Sequence, residues 1–365
     1  MKVQLSILVL FFTIFFLSCQ DSEVITSVAN TTLYFPPINS VEWKKEQPEN
    51  LGWNTTAIHE LNTFLKDSNT RAFLILKNGK IVLEEYWGNT FLNTGNFTSN
   101  SKWYWASAGK TLSASLIGIA VKEGKVSVND KTSDYLGKGW TSLTPQKEDL
   151  ITVKNNLTMT TGLDYNVVNP NCYTPDCFQY NKDAGSQWYY HNGPYTILKE
   201  VIENTYKTTY NEFTEDKLQN RIGMNGEWVE TGTNNLYWST ARDAARFGVL
   251  LSNKGKWDGN ELLTSTYFNE MTNSSQAINP SYGYLTWLNG KSSIQYPGSE
   301  VSFTSSLSEN APKNMFAALG KNGQIIAVVP DENIVVIRLG EAPSNDLVPV
   351  TYHNELWKKI NAIIN

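Results

Sequence analysis

The sequence predicts an α/β protein of the α+β kind: one antiparallel sheet built from N- and C-terminal segments, flanked by helices, with a mainly helical lobe inserted between its halves. Three observations predict it. Two apolar runs meet at Asn78-Gly79 in "AFLILKNGKIVLEEYWG", a dipeptide suited to a tight hairpin. The far end, "MFAALGKNGQIIAVVPDENIVVIRLG", reads as two more strands around Pro330–Asn333. Between them, from about 106 to 290, helical periodicity dominates.

Each helix carries its own signals. In "NTTAIHELNTFLKD" the apolar positions Ile58, Leu61, Phe64 and Leu65 share one face behind a polar Asn54/Thr55 start. Lys110–Glu123 is an apolar run stopped by Gly124, Pro194–Thr205 opens on its proline, and Thr240–Leu251 begins at a threonine with Asp243 three residues on. "YHNELWKKINAII" closes the chain as a helix with an apolar stripe.

Composition narrows the class of partner. The 365 residues are 41% hydrophobic, enough for one large core. Thirty basic residues face 35 acidic ones, a net charge of -5 with no block of like charge, so a nucleic acid is a poor partner.

The opening "MKVQLSILVLFFTIFFLS", residues 1–18, has the short apolar stretch of an export signal, too short to span a bilayer comfortably. Ser18 and then Cys19 follow it, which resembles a bacterial lipoprotein processing site with Cys19 lipidated; an ordinary secretory signal or a short anchor helix is the alternative. The expectation is an exported protein, lipid-anchored to a bacterial cell-envelope membrane, with residues 19–50 as a tether and 51–365 as one folded body. In an oxidising compartment Cys172 and Cys177, in "NPNCYTPDCFQY", would form a disulfide clip if their Cα atoms approach closely enough; two free thiols or half a zinc site are the alternatives.

The chemistry centres on "YWASAGKTLSASLIGIAVKEGK". Residues three apart share a helix face, so Lys110 stands one turn from Ser107 with its amine near the hydroxyl. A serine attacks only when a neighbour accepts its proton, and a lysine accepts one only when burial or a second cation lowers its pKa. At the helix start the Ser107 N–H is free to hold an oxyanion, and Ala108 and Gly109 leave the approach open. Spacing alone also fits an N-cap serine followed by a solvent lysine, and Ser99-Asn-Ser-Lys102 repeats it in a polar loop. Tyr190-His-Asn192 offers a proton-shuttling phenol and a carbonyl-binding amide, although Tyr267-Phe-Asn269 and Tyr352-His-Asn354 match the same pattern. Lys321-Asn322-Gly323-Gln324 is expected on an apolar strand, with glycines permitting close approach by a ligand; a plain hairpin turn is the alternative.

Ser-x-x-Lys at a buried helix head, Tyr-x-Asn some eighty residues later and Lys-x-Gly near the end resemble, in that order, the penicillin-recognising serine hydrolases. The branch with class C β-lactamases, carboxypeptidases and esterases is the most similar, and "LTMTTGLDY", "NRIGMNGEW" and "STARDAARFGVLL" are similar to that group's connecting landmarks. The resemblance spans about residues 50–360 and implies a β-lactamase/transpeptidase-like fold. It implies Ser107 as acylated nucleophile, Lys110 as its base and Tyr190 as a second acid/base group. Asn192 would bind a substrate amide, Lys321 would lower a neighbouring pKa and attract a carboxylate, and Ser107 and Gln324 would supply oxyanion N–H groups. Antibiotic-cleaving members usually carry a hydroxyl where this chain has Asn322, which counts against antibiotic hydrolysis; the expected substrate is a small-molecule or peptide ester or amide, with a β-lactam or a D-alanyl peptide as the alternatives. No cofactor or metal is implied. A binder that senses peptidoglycan or β-lactams with the same cleft is the alternative from another class; a Ser-His-Asp enzyme lacks its Gly-x-Ser-x-Gly elbow here.

Overall fold

The central strand Ile334–Gly340 is buried at every residue, which requires both faces of the sheet around it to be covered. The computed structural model that contains it describes residues 33–345 and 349–364; the signal segment, Cys19 and the first part of the expected tether lie outside the described residues. The sheet has six strands in the order Lys80–Tyr86, Thr70–Lys77, Ile334–Gly340, Gln324–Val329, Phe316–Gly320 and Trp287–Leu288, every neighbouring pair antiparallel. The first two strands come from the N-terminal side and the other four from the C-terminal side, as the sequence predicts. Asn78 (φ 52°) and Gly79 (φ 77°) make the predicted hairpin.

Helices close the layers. Ala241–Ser252 packs on Ile334–Gly340 and Gln324–Val329. It starts with a capping box, in which the Thr240 hydroxyl accepts from Asp243 N while the Asp243 carboxylate accepts from Thr240 N. Ile58–Asp67 packs against the closing helix Val350–Ile364, and the Phe64 and Tyr352 rings stack at 5.2 Å.

Two expectations change. Residues 33–50 do not behave as a tether: Tyr34 N donates to Asn78 O at 3.0 Å, the Trp43 indole is buried and donates to Gly79 O at 2.7 Å, and Arg246 donates to the Pro36 and Pro37 carbonyls. Polar composition concealed these aromatic anchors. Within the mainly helical lobe, Gly226–Thr231 and Asn234–Ser239 form a hairpin to which Trp103–Tyr104 adds a third strand. The late segment holds three strands rather than two. Asn322 and Gly323 adopt positive φ (64° and 71°), so the chain reverses between Phe316–Gly320 and Gln324–Val329. Buried Arg338 fixes this turn by donating to the carbonyls of Asn322 and Gly323, at 2.7 and 3.0 Å.

Candidate active site

Ser107 stands where three elements meet. The strand Trp103–Tyr104 ends, Ala106 takes a left-handed φ of 46°, and a 3-10 turn over Ala106–Ala108 runs into the α-helix Gly109–Lys122. A non-glycine residue in that conformation is held only by strong surroundings. Here Trp105 supplies them: its backbone N donates to Tyr237 O at 2.8 Å and its indole to the Ser239 hydroxyl at 2.9 Å. The helix beyond is buried at every residue except Val121 and Lys122, so it is a central element rather than an amphipathic surface one. Gly109 faces the Trp228 ring and the Tyr237 Cβ, so this small residue serves close packing and not access to the hydroxyl.

Lys110 is 3% exposed and donates from Nζ to Ser107 Oγ at 3.0 Å. No ion pair reaches it among the described residues; its amine lies over the rings of Tyr195 and Tyr190, 4.0 and 4.9 Å from their centroids. Burial lowers its pKa to about 7. Burial pushes the Tyr190 hydroxyl well above its ordinary value, offset in part by a hydrogen bond with Ser107. At neutral pH the tyrosine is therefore protonated and the lysine is the group with an available lone pair. The second cation expected to lower these values does not contribute: Lys321 is exposed, and burial is the cause for Lys110.

Ser107 opens onto a cavity of about 260 Å³. Ser107, Tyr190, Asn192 and Lys321 line it, Tyr189, Trp287 and Leu319 give apolar walls, and Pro170 and Pro297-Gly298 complete it. Two surface grooves of about 480 Å³ are larger; one of them is lined by Ser99 and Lys102, but that lysine pairs with Glu227 rather than with the serine, so chemistry rather than size selects the smaller cavity. Asn192 donates from Nδ2 to Asn171 Oδ1 at 2.7 Å, while its own Oδ1 is buried without a partner. Cys172 and Cys177 are joined, with Cα atoms 6.0 Å apart, in the loop that carries Pro170 and Asn171. Among the described residues no group of three His, Cys, Asp or Glu side chains is placed to hold a metal ion.

Asn322, Gly323 and Gln324 are not brought to the cavity. The Asn322 amide donates to Tyr104 OH at 2.7 Å, and the Gln324 side chain is spent on Gly340, donating to its carbonyl at 2.7 Å and accepting from its N–H at 3.0 Å. The glycine pressed against the nucleophile segment is Gly320, where a Cβ would stand 2.4 Å from the Trp105 carbonyl oxygen and 3.0 Å from Ala108 N. The positive φ angles of Asn322 and Gly323 place the turn there, so the wall beside Ser107 is Leu319–Lys321. Tyr195, Trp287 and Leu319 were not read from the sequence; only Tyr195 carried a signal, five residues beyond Tyr190 in the same helix entry.

The competing motif copies lie elsewhere. Lys102 pairs with Glu227 at 3.3 Å, the buried Tyr267 donates to Ala114 O at 2.7 Å, and Tyr352 is buried against Phe64 and Arg338.

Comparison with known proteins gives the same neighbourhood. The family model described as Beta-lactamase matches residues 66–356. An uncharacterized protein of Alkalihalophilus pseudofirmus is 25% identical over 75% of this chain and 84% of its own. A Bacillus anthracis structure provisionally named a 6-aminohexanoate-dimer hydrolase superposes with a TM-score of 0.67 at 18% identity, covering 90% of this chain and 89% of that one. A penicillin-binding protein homologue from Caulobacter crescentus gives 0.65 at 15% identity, over 84% and 96% of the two chains. A family VIII carboxylesterase gives 0.64 at 14%, over 84% and 97%. At these identities the structural likeness is one of fold.

Proposed function

The chain belongs to the Beta-lactamase family, a family of hydrolases, and from that premise we propose that it cleaves an ester or amide through an acyl-enzyme on Ser107. The observation that carries this reading is the 3.0 Å contact between the Ser107 hydroxyl and a buried lysine whose pKa is about 7.

Lys110 accepts the Ser107 proton as the serine oxygen bonds to the substrate carbonyl carbon. The resulting oxyanion takes hydrogen bonds from the N–H of Ser107 and from that of Lys321, which follows Gly320 at the cavity wall and replaces Gln324 in this role. When the intermediate collapses, the scissile bond breaks. The leaving group departs with a proton passed from Lys110 by way of the Tyr190 hydroxyl. Water then adds to the acyl carbon and gives a proton to Lys110, which returns it to Ser107 as the ester linkage breaks. Asn192 binds a carbonyl on the acyl side, and Lys321 attracts a substrate carboxylate.

An ordinary ester or amide is favoured over a β-lactam by the lining. The side chain preceding Gly320 is Leu319, and Asn322 turns to Tyr104, so neither offers the hydroxyl that grips a β-lactam carboxylate. Export and lipidation at Cys19 remain part of the proposal on sequence grounds, placing the enzyme on a cell-envelope membrane.

The test combines turnover with mass spectrometry, using p-nitrophenyl esters, linear p-nitroanilides and a chromogenic cephalosporin. The expected result is turnover of ester or anilide with a transient adduct on Ser107. Lasting acylation without turnover would show a sensor instead, and turnover that survives Ser107→Ala would remove the mechanism.

A further inference from the structure

Asn171 does not line the cavity, yet its side chain holds one that does. The amide nitrogen of Asn192 carries two hydrogens, and one is donated to Asn171 Oδ1 at 2.7 Å. That bond fixes the amide plane and leaves the second N–H for a ligand.

Asn171 is itself fixed from several directions. Its backbone N donates to Asn169 Oδ1 at 3.0 Å, Cys172 N donates to Asn169 O at 3.0 Å, and Gly193 N donates to Pro170 O at 3.1 Å. The Cys172–Cys177 bond closes the following turn. At Gly193, next to Asn192, a Cβ would stand 2.3 Å from the Cys172 carbonyl oxygen and 2.9 Å from the Phe178 ring. The loop is therefore pressed directly onto the backbone that presents Asn192, an approach that only glycine permits.

We infer that Asn171 is a positioning residue that sets selectivity: by orienting the Asn192 amide, it favours substrates with a second carbonyl on the acyl side, as in an acylated amino acid. This rests on the acyl-enzyme reading above. A simple acyl group has nothing to accept the second N–H and gains nothing from the arrangement.

The test compares p-nitrophenyl acetate with the p-nitrophenyl ester of N-acetylglycine, which adds such a carbonyl. The quantity read is the ratio of their kcat/KM values in the full chain. Asn171→Ala is expected to lower the ratio about tenfold, mainly through KM, the effect of one neutral hydrogen bond. Asn171→Asp, which keeps the acceptor, is expected to restore it. In an Asn192→Ala background the Asn171→Ala change should add nothing to the ratio.

Equal losses on both substrates, failure of the aspartate to restore the ratio, or a persisting effect without Asn192 would each overturn the inference. Thermal melts establish that the variants fold, and Asn171→Ser, too short to reach Asn192, replaces the alanine variant if that one does not. Wild-type protein that turns over neither ester and forms no Ser107 adduct removes the acyl-enzyme reading itself, a result distinct from an unchanged ratio in an active enzyme.

Discussion

Lys110 Nζ lies 3.0 Å from Ser107 Oγ with the rings of Tyr190 and Tyr195 beside it and, among the described residues, no ion pair. A lysine paired with an acid keeps its proton; one buried without an acid gives it up near neutrality. The proposed roles of base and nucleophile fit this pair; those of a surface lysine beside a helix cap do not.

Removing either partner should separate chemistry from folding. Ser107→Ala is expected to abolish turnover with an unchanged melting temperature. Lys110→Met should lower kcat/KM by about 10³-fold or more, as loss of a general base does. Full activity in either variant, in the ester assay, would contradict the assignment.

Activity should rise with pH through an apparent pKa of about 7, as Lys110 loses its proton. Tyr190, raised by burial, holds its proton through this range. A kcat/KM profile flat from pH 5 to 9 would exclude Lys110 as the base.

Stability should carry the same signature. Below about 7 Lys110 is charged in the folded and unfolded chains alike, so the folded state bears the full cost of burying the cation. Between about 7 and the ordinary 10.5 only the unfolded chain is protonated, so this group's contribution to stability rises with pH; above 10.5 it levels off. Lys110→Met should therefore melt higher than wild type at pH 6, with the gap narrowing toward pH 10. A constant gap would count against the depressed pKa.

Tyr190→Phe should cost about 10²–10⁴ in kcat while KM changes little. Tyr267→Phe and Tyr352→Phe should act on melting temperature instead, because those hydroxyls serve Ala114 O and Ser68 Oγ. Rate loss in either of these with an active Tyr190→Phe enzyme would reverse the choice among the three copies.

Gly320→Ala and Gly323→Ala should differ in kind. At 320 a methyl meets the Trp105 carbonyl at 2.4 Å, so the Ser107 turn must move and activity should fall about 5- to 150-fold, for about 1–3 kcal/mol of lost fit. At 323 the positive φ makes alanine costly by about 1 kcal/mol in the turn, with most activity retained. Steady-state rates and denaturant melts of the two variants check this.

Cysteine removal tests the loop. Cys172→Ser with Cys177→Ser opens a ring of sequence separation 5, for which chain entropy gives about 2 kcal/mol. The expected result is a lower midpoint in denaturant and weaker binding on the acyl side; an unchanged midpoint would mean that the loop is held by its other contacts.

Alternating and continuous apolar runs, Asn78-Gly79 and the Thr240/Asp243 cap determined the sheet from both termini and the principal helices, because those signals act between residues close in the chain. The Ser107–Lys110 pairing was legible for the same reason, since helix geometry puts residues three apart on one face. What burial does to Lys110 was not legible in amount: Tyr190 and Tyr195 come from a helix and the segment entering it some eighty residues away, and only packing brings them over the amine. Tertiary structure also chose Tyr190 among three like triplets, folded residues 33–50 onto the body, and set Gly320 rather than Gly323, both glycines of the expected close approach, against the Ser107 turn. The reason is common to all of these: an apolar strand states that it is buried but not where it reverses, and the reversal was settled by Arg338, from a neighbouring strand, gripping the carbonyls of Asn322 and Gly323.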